Sequence, residues 1–312
     1  MNYISNSLVL VTGAMGFLGS HLCKRLSAMN CDVVGVDNLS FSKLSVDKHN
    51  NVMNKILFKE LDITRADHVE TLFRDHKFDI VFHLAAVANP RICKENFDLA
   101  FNVNVMGTKN ILSNSKNCDK IVFISSAAVY GEPLTIPIAE DHPLNGTDPY
   151  AITKIIGEKL CLNFVKNYGY RVVIVRNFNT FGIGQSGDYI IPTLIRQALV
   201  HKVIEIWNSK PIRDMMYVDD TIDALLTITS TNNTDFDVYN IGSGRGIQIG
   251  KLADIIKQNI GNGINVIDLQ KPVLGSPKLI ADNTKLKSLG WKESVGFEEG
   301  IRRTIEWFRT LI

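Results

Sequence analysis

Short apolar runs recur along the chain, and stretches in which apolar residues follow a helical period separate several of them. Short runs rich in Val, Ile and Leu predict buried β-strands. Their alternation with helices is typical of a parallel sheet covered on both faces. We therefore predict an α/β fold built on a doubly wound parallel sheet. The predicted strands lie at residues 7–11, 32–36, 56–61, 80–84, 120–124, 171–176 and 237–241.

The pattern changes after residue 176, where the segments become shorter and prolines interrupt them. Helical spacing still predicts helices at 190–202 and 219–229. A chain of 312 residues is long enough for one large domain or two intimate ones. We expect residues 1–176 to form the larger lobe and 177–312 a smaller one, with the strand near 237–241 returning to the first.

A glycine-rich turn follows the first predicted strand and leads into a helix expected to begin near Ser20. Gly13 permits a tight turn, because it lacks a Cβ atom. Gly16 lets backbone N–H groups approach a pyrophosphate at the helix N-terminus, and Gly19 lets helix and strand pack closely. A glycine triplet alone is weak evidence, but this strand, turn and helix together predict a dinucleotide-binding site.

Acidic residues follow the second and third predicted strands. A carboxylate at Asp37 can accept hydrogen bonds from both ribose hydroxyls of adenosine and repel a 2′-phosphate, which favours NAD over NADP. The alternative is that Asp37 only caps the following turn. Asp62 is a candidate contact for the adenine amine. After the fourth strand, the small side chains of Ala85 and Ala86 leave room for a cofactor against the backbone.

Tyr150 and Lys154 are the candidate reactive pair. A spacing of four residues places a phenol and an ammonium on one face of a helix, and Asp148 and Pro149 are typical of a helix start. A tyrosine acting as a base near neutral pH needs its pKa lowered by roughly 3 units, which an adjacent cation and a positively charged cofactor can provide. The spacing is common by chance, so the pair needs support from other residues.

That support comes from the fifth predicted strand, which ends in Ser125 and Ser126. Ligands of doubly wound sheets collect at the carboxyl ends of the strands, so Ser126 is expected to face the same crevice as Tyr150. The alternative is that both serines only satisfy a local turn. His83, within a predicted strand, is expected to be a core histidine.

The composition sets limits on the function. A formal net charge of +2 gives no basic field for nucleic acid. The five cysteines are scattered without metal or redox spacing, and the histidines show no metal-ligand spacing, so we expect no metal and a reduced cytoplasm. The chain begins without a signal-peptide pattern and contains no apolar run of membrane-spanning length, so secretion and membrane insertion are not expected.

The motifs taken together are specific. The chain resembles the extended short-chain dehydrogenase/reductase family, and within its NAD-dependent epimerases and dehydratases it is most similar to the UDP-glucose (UDP-galactose) 4-epimerases. The resemblance covers nearly the whole length and implies a Rossmann-type sheet with a substrate-binding lobe. It rests on motifs beginning at Thr12-Gly13, Asp37-Asn38-Leu39, Asp62-Ile63, His83-Leu84-Ala85-Ala86, Asn104-Val105, Ser125-Ser126, Pro149-Tyr150, Arg176-Asn177-Phe178-Asn179, Arg213-Asp214 and Tyr239-Asn240-Ile241-Gly242.

The resemblance implies a role for each matched residue. Tyr150 is the catalytic base, Lys154 holds the nicotinamide ribose and lowers the pKa of the tyrosine, and Ser126 hydrogen-bonds the reacting hydroxyl. Asn104 is an accessory polar group beneath them. The cofactor-binding residues implied are Gly13, Met15, Gly16, Phe17, Leu18, Gly19, Asp37, Asn38, Asp62, Ile63, Leu84, Ala85, Ala86, Asn104, Ser125, Tyr150 and Lys154.

On the substrate side the resemblance implies that Asn179 and Arg213 hold the diphosphate and that Trp207 lies against the nucleotide base, beside Ser126 and Tyr150 at the sugar. A guanidinium fork suits a diphosphate, and an indole face suits a planar base. A plain salt bridge from Arg213 to Asp214 or Asp219 is the alternative. Many relatives carry an arginine before a Pro-Gly-Asp run. Here Lys271 stands nearby, in Gln270-Lys271-Pro272-Val273-Leu274-Gly275, and is expected to substitute as a point charge.

The residues after Ser126 separate the enzyme classes. The family's 4,6-dehydratases carry carboxylates there, and its decarboxylases tend to carry a glutamate, but this chain has Ala127 and Ala128. We therefore expect an NAD-dependent nucleotide-sugar 4-epimerase acting through a transient 4-keto sugar. An NAD-dependent reductase or other sugar modifier is the alternative, and a non-catalytic NAD-binding regulator is a remote one.

The identity of the sugar is less determined. No Lys or Arg lies between Ile183 and Ile195 to pair with a uronate. Leu279 falls at the family's gatekeeper position, where it is intermediate in size. UDP-glucose and UDP-galactose are the first expectation, followed by the N-acetylated pair. The resemblance also implies a homodimer, formed through helices near 97–115 and 150–166.

Overall fold

A seven-stranded parallel sheet forms the centre of the molecule. The computed structural model describes residues 4–41, 54–230, 234–272 and 275–312. The strands along the sheet, in spatial order, are β10 (Phe236–Ile241), β6 (Val172–Asn177), β5 (Lys120–Ser126), β4 (Ile80–His83), β1 (Leu8–Thr12), β2 (Asp32–Asp37) and β3 (Leu57–Glu60). The predicted doubly wound α/β fold is confirmed.

The chain order of the strands reverses beside β1. It runs to β2 and β3 on one side and to β4, β5, β6 and β10 on the other. Thr12 pairs with Val36 in β2 and with His83 in β4, so the carboxyl ends of three strands meet there. Such a reversal leaves a crevice in which ligands of open α/β sheets bind.

Helices cover both faces of this sheet. They are α1 (Phe17–Ala28), α2 (Ala66–Asp75), α3 (Pro90–Glu95), α4 (Phe97–Phe101), α5 (Thr108–Asn114) and α6 (Pro149–Tyr168). Helix α1 begins three residues before the predicted Ser20, because the chain is already helical directly after Gly16. The single helix expected at 96–115 is interrupted by a π-helical segment, Asn102–Gly107.

The remaining elements belong mostly to the C-terminal part of the chain. They are β7 (Asn179–Phe181), α7 (Ile190–His201), β8 (Val203–Ile206), β9 (Ile212–Tyr217), α8 (Val218–Thr229), β11 (Gly246–Gln248), α9 (Ile249–Ile260), β12 (Asn265–Asp268), β13 (Lys278–Leu279), α10 (Thr284–Ser288) and α11 (Phe297–Arg309). Strand β9 pairs with β7, β11 and β13, and β8 pairs with β12.

One continuous hydrophobic core joins the central sheet to the C-terminal elements. It contains Val9 and Phe82 from the sheet as well as Leu194, Ile222 and Leu252 from helices α7, α8 and α9. The two predicted lobes, 1–176 and 177–312, therefore share buried side chains. Within the part of the chain that the structure describes, no helix is long and apolar enough to cross a membrane, and no group of His, Cys, Asp and Glu side chains is arranged to hold a metal ion.

Candidate active site

A cavity of about 760 Å³ opens at the carboxyl ends of β1, β4 and β5. The glycine turn and Asp37 line one end of it, and Ser126, Tyr150 and Lys154 line its middle. Most of the residues that sequence analysis assigned to the cofactor line this cavity, and we call the surface that they form the cofactor wall. They are Gly13, Met15, Gly16, Phe17, Leu18, Gly19, Asp37, Asn38, Asp62, Ile63, Leu84, Ala85, Ala86, Ser125, Tyr150 and Lys154.

The glycine turn is shaped by atoms that leave no room for side chains. Gly13 has a φ of +70°, and a Cβ atom on it would lie 2.8 Å from the backbone nitrogen of Ala85. A Cβ atom on Gly19 would lie only 2.0 Å from the carbonyl oxygen of Gly13. Gly16 precedes helix α1 and caps it without a side chain, and the first residues of the helix line the cavity. This arrangement fits the pyrophosphate of a dinucleotide.

Backbone amides hold the carboxylate of Asp37 in place. One oxygen accepts a hydrogen bond from the amide of Met15 at 3.0 Å, and the other accepts one from the amide of Leu39 at 2.8 Å. The bond to Leu39 is the turn contact considered as an alternative, yet Asp37 also lines the cavity. Both roles are compatible, since a carboxylate can accept about four hydrogen bonds.

Asp62 and the end of β4 complete this wall. Asp62 accepts a hydrogen bond from the amide of Thr64 at 2.9 Å and lines the cavity. The hydroxyl of Thr12 accepts hydrogen bonds from the amides of Leu84 and Ala85, which fixes the backbone beside the glycine turn. His83 is a core residue, as predicted, because its ring nitrogens bond to Thr12 and Thr108 and burial lowers its pKa to about 3.

Tyr150 lies in the first turn of α6, beside the end of β5. The side chain of Asp148 accepts a hydrogen bond from the amide of Ala151 and caps this helix, as its sequence predicts. The Tyr150 phenol lies near the Ser126 side chain, which acts to lower the pKa of the phenol. One turn further, the Lys154 ammonium donates a hydrogen bond of 2.8 Å to the carbonyl of Ile124. The structure therefore brings the three expected catalytic side chains together.

Burial dominates the pKa values of this group. It raises the pKa of Tyr150, and the Ser126 side chain opposes this rise only in part. Burial also lowers the pKa of Lys154, to about 8. The expected depression of the tyrosine pKa is therefore not produced by the chain alone, because desolvation disfavours the charged form of each group.

Asn104 is buried behind the catalytic helix. Its side chain lies in the π-helical segment and is absent from the cavity lining. It accepts from the amide of Val87 and donates to the carbonyl of Val87 and to the hydroxyl of Thr153. Its assignment as a cofactor contact stays a prediction. Asn104 ties the chain after β4 to helix α6, in which Thr153 lies beside Lys154.

The substrate side of the cavity contains Asn179 and Leu279, as expected. The side-chain amide of Asn179 donates to the carbonyl of Asp214 at 3.1 Å, which joins β7 to β9. Sequence analysis missed Tyr189, which lines the cavity at the start of α7 and interacts electrostatically with Tyr150. The signal that could have shown Tyr189 was weak, because a single aromatic residue before a helix has no characteristic motif.

Trp207 and Lys271 do not line the cavity as the structure stands. The Trp207 indole donates to the carbonyl of Pro272 at 2.8 Å, and the Lys271 ammonium lies 4.3 Å from the centre of its ring. One indole face is thus covered by a cation. Residues 273 and 274 of the expected diphosphate segment lie outside the described residues.

Arg213 is half-buried in β9 and also lies outside the cavity lining. The expected alternative of a salt bridge to Asp214 or Asp219 is wrong. Asp214 instead accepts from the amides of Ser243, Gly244 and Ala281, and Asp219 pairs with Arg303 and His21. Burial lowers the pKa of Arg213, and no carboxylate among the described residues forms an ion pair with it.

The fold and this site define a dinucleotide-binding protein of the Rossmann type, and comparison with known proteins identifies the family. Residues 9–242 match the model of the NAD dependent epimerase/dehydratase family. The chain belongs to this family, and its cofactor is NAD.

Individual relatives agree with this assignment. The chain is 36% identical to a putative UDP-glucose 4-epimerase of Methanocaldococcus jannaschii, over 97% of this chain and 98% of the relative. It superposes with a TM-score of 0.91 on the UDP-glucose 4-epimerase of Thermotoga maritima in a structure with UDP-glucose, at 30% identity over 97% and 99% of the two chains.

A UDP-glucuronic acid 4-epimerase of Bacillus cereus, solved with UDP-glucuronic acid and NAD, gives a TM-score of 0.89 at 29% identity over 98% of this chain and 100% of the other. Dehydratases and a decarboxylase also occur among the relatives.

Proposed function

We propose that this protein is an NAD-dependent nucleotide-sugar 4-epimerase. The observation that carries the proposal is the arrangement of Ser126, Tyr150 and Lys154 beside the glycine turn, within one cavity. A 4-epimerase needs one base, one hydride acceptor and room for the sugar to turn over. This group of side chains supplies the base.

The residues beside Ser126 argue against a dehydratase or a decarboxylase. Elimination of water from the sugar requires an additional acid and base near the catalytic hydroxyl. Ala127 and Ala128 occupy that place, and both line the cavity. The cavity's carboxylates lie elsewhere: Asp37 and Asp62 at the cofactor wall and Asp188 before helix α7.

Bound NAD would supply the hydride acceptor and donor that the reaction at C4 requires. The phenol of Tyr150 removes the proton of the 4-hydroxyl, and Ser126 holds that hydroxyl by a hydrogen bond. Lys154 holds the nicotinamide ribose. Since burial raises the pKa of Tyr150, its ionisation depends on the positive charges of Lys154 and of the bound cofactor.

The charge of the cavity favours a neutral sugar. Lys154 is the one cationic side chain among the described residues that line it. Its ammonium is engaged with the carbonyl of Ile124, so no cation is placed to neutralise a uronate carboxylate. UDP-glucose and UDP-galactose are therefore the proposed pair, with the N-acetylated pair next, since Leu279 leaves more room than an aromatic residue would.

The nucleotide and diphosphate contacts remain proposals. Arg213 is the strongest of them, because its partly buried guanidinium forms no ion pair with a described carboxylate and matches an anionic ligand. Asn179 lies on the cavity wall and Trp207 and Lys271 outside it. Binding would require the Trp207 indole to exchange its contact with Lys271 for one with the base.

We also propose that the protein is a cytoplasmic homodimer. All five cysteines are free thiols, as a reducing compartment requires. Phe97, Met106 and Ile152 are large exposed hydrophobic side chains on the helices expected to pair. Val105, expected at this interface, is instead buried in the core. A strictly monomeric mass at micromolar concentration by light scattering would reject the dimer.

The epimerase is tested with C4-deuterated UDP-galactose in a single turnover, with excess unlabelled NADH in solution. We expect the deuterium to stay at C4 of the product and the added NADH to be neither consumed nor exchanged. NAD then acts as a resident catalyst. Steady oxidation of the external NADH would instead identify a reductase, and formation of an unsaturated or deoxygenated sugar would identify a dehydratase.

A further inference from the structure

A buried ion pair lies behind the catalytic side chains. The guanidinium of Arg176 in β6 donates to both carboxylate oxygens of Glu158 in α6, at 3.0 and 2.8 Å. The two residues are only 4% and 5% exposed. The hydroxyl of Ser125 donates to the same carboxylate at 2.5 Å. Glu158 therefore joins α6 to the ends of both β5 and β6.

The guanidinium continues this network towards the segment that precedes α6. Arg176 donates to the hydroxyl of Tyr130 at 3.1 Å and to the carbonyl of Glu140 at 2.7 Å. The Tyr130 hydroxyl in turn donates to Asn240 in β10 at 2.6 Å. Helix α6 and strands β5, β6 and β10 thus meet at one buried charged pair, and each polar group in it has a partner.

This network contacts the catalytic site on two sides. Ser125 directly precedes Ser126, and Glu158 lies one helical turn beyond Lys154 on the same face of α6. The Lys154 ammonium bonds to the carbonyl of Ile124, which lies directly before Ser125. The hydrogen bond from Lys154 to Ile124 and the one from Ser125 to Glu158 therefore fix the rotation and height of α6 against β5.

We propose that the Glu158–Arg176 pair is a positioning element of the catalytic site, which holds Ser126 and Lys154 in register and supplies the negative charge that faces the Lys154 ammonium. This inference deepens the proposed function, because it concerns the same residues. A purely apolar contact would be cheaper to bury, since removing two charges from water costs several kcal/mol per ion. A charge acting on Lys154 gives the pair a role beyond packing.

The groups around Lys154 leave Glu158 as its source of negative charge. Burial lowers the pKa of Lys154 to about 8, and negative charge on Cys93, Cys161 or Glu158 would raise it. Burial raises the pKa of the Cys93 thiol to about 11 and that of the Cys161 thiol still further, so both are neutral where Lys154 titrates. His83 is neutral as well, with a pKa of about 3.

The experiment measures the pKa of Lys154 in four proteins from the side-chain chemical shift of isotope-labelled lysine, with Lys154→Met to assign the signal. Glu158→Gln keeps the shape but removes the negative charge, so the pKa of Lys154 falls by about 1 unit. Arg176→Gln leaves the Glu158 charge unbalanced, so the pKa of Lys154 rises. Arg176→Lys keeps the charge but loses the fork, so the pKa changes by less than about 0.3 units.

Opposite shifts in the two charge-removing variants support the proposal, since general structural damage would move both in the same direction. An unchanged pKa in Glu158→Gln and Arg176→Gln, or equal shifts in all three variants, overturns it. If Glu158→Gln does not fold, the contrast between Arg176→Gln and Arg176→Lys decides alone. All of these pKa measurements use the protein without sugar or added cofactor, so they stand whether or not the proposed epimerase activity is found.

The consequence for catalysis is measured separately. At a pH near 8, Glu158→Gln is expected to lower kcat for the interconversion about tenfold while KM for the sugar nucleotide changes less than about threefold, because the pair acts on the catalytic groups and not on the substrate. A tenfold rise in KM with an unchanged kcat would contradict a positioning role. A parent protein that interconverts no sugar would reject the proposed function and leave the measured pKa shifts in place.

Discussion

The residues predicted to bind the cofactor mostly line the cavity, whereas several of those predicted to bind the substrate do not. At the cofactor wall, the glycine turn, Asp37, Asp62 and the small residues after β4 all line the cavity. On the substrate side, Asn179 and Leu279 line it, whereas Trp207, Arg213 and Lys271 do not. The motifs also differ, since Lys271 stands where many relatives carry an arginine and Trp207 belongs to none of the motifs that carry the resemblance.

The two sides also differ in how they are built. Apart from Asn104, Tyr150 and Lys154, the assigned cofactor residues lie at or just after the ends of parallel strands in one sheet, and such ends meet at the same edge. Trp207 instead directly follows β8 of a two-stranded sheet, and Arg213 lies in β9 of a four-stranded sheet, whose strands β7 and β13 place Asn179 and Leu279 at the cavity. Short strands from distant segments fix the side chains less firmly, and ligand binding can then reorganise them.

Replacing the base is expected to have the largest effect. Tyr150→Phe removes the phenol that takes the proton but keeps the ring that fills the site, so kcat falls by roughly 10³-fold or more. NAD and UDP-sugar affinity are expected to stay within about threefold, since neither depends on the phenol. Steady-state kinetics and calorimetry measure the two quantities, and turnover within tenfold of the parent would contradict the assignment.

Adding a side chain in the glycine turn tests the cofactor wall. Gly19→Ala places a methyl group 2.0 Å from the carbonyl of Gly13, so helix α1 must move and NAD affinity falls roughly 100-fold, about 2.7 kcal/mol. Gly187→Ala is the matched control, because its added Cβ meets only Arg196 at 3.7 Å. Equal NAD affinities of the two variants, measured by calorimetry, would show that the turn does not form the cofactor cradle.

Replacing Arg213 tests the substrate side of the cavity. If its guanidinium binds the diphosphate, Arg213→Met weakens UDP binding by about 10- to 100-fold, the usual range for a lost hydrogen bond to a charged group. Lys271→Met is expected to weaken it less than about fivefold, since a mobile ammonium forms a less directional contact. UDP titration of both variants measures this, and a larger loss for Lys271 than for Arg213 would reverse the proposed roles.

The smallest expected effect concerns cofactor choice. Asp37→Asn keeps an oxygen for the amide of Met15 or Leu39 but removes the charge that repels a 2′-phosphate, so the preference for NAD over NADP falls about tenfold. Mass spectrometry of the cofactor released by acid measures the ratio. A parent protein that carries mainly NADP would overturn the assigned role of Asp37.

The sequence by itself determined the features that depend on neighbouring residues. The apolar runs predicted all seven strands of the central sheet to within one or two residues at either end, because buried strands need continuous apolar side chains. The spacing of Tyr150 and Lys154 placed both on one helix face, and Gly13 and Gly19 marked the turn, because these constraints act within a few residues.

Only the tertiary structure decided how residues distant in sequence meet. The side chain of Asn104 bonds to the backbone of Val87, and Tyr189 lines the cavity together with Tyr150. The pair of Glu158 and Arg176 forms between a helix and a strand that no local pattern connects. Burial raises the pKa of Tyr150 in the chain by itself. Desolvation and side-chain pairing depend on the packing of whole elements, so they arise only once the chain has folded.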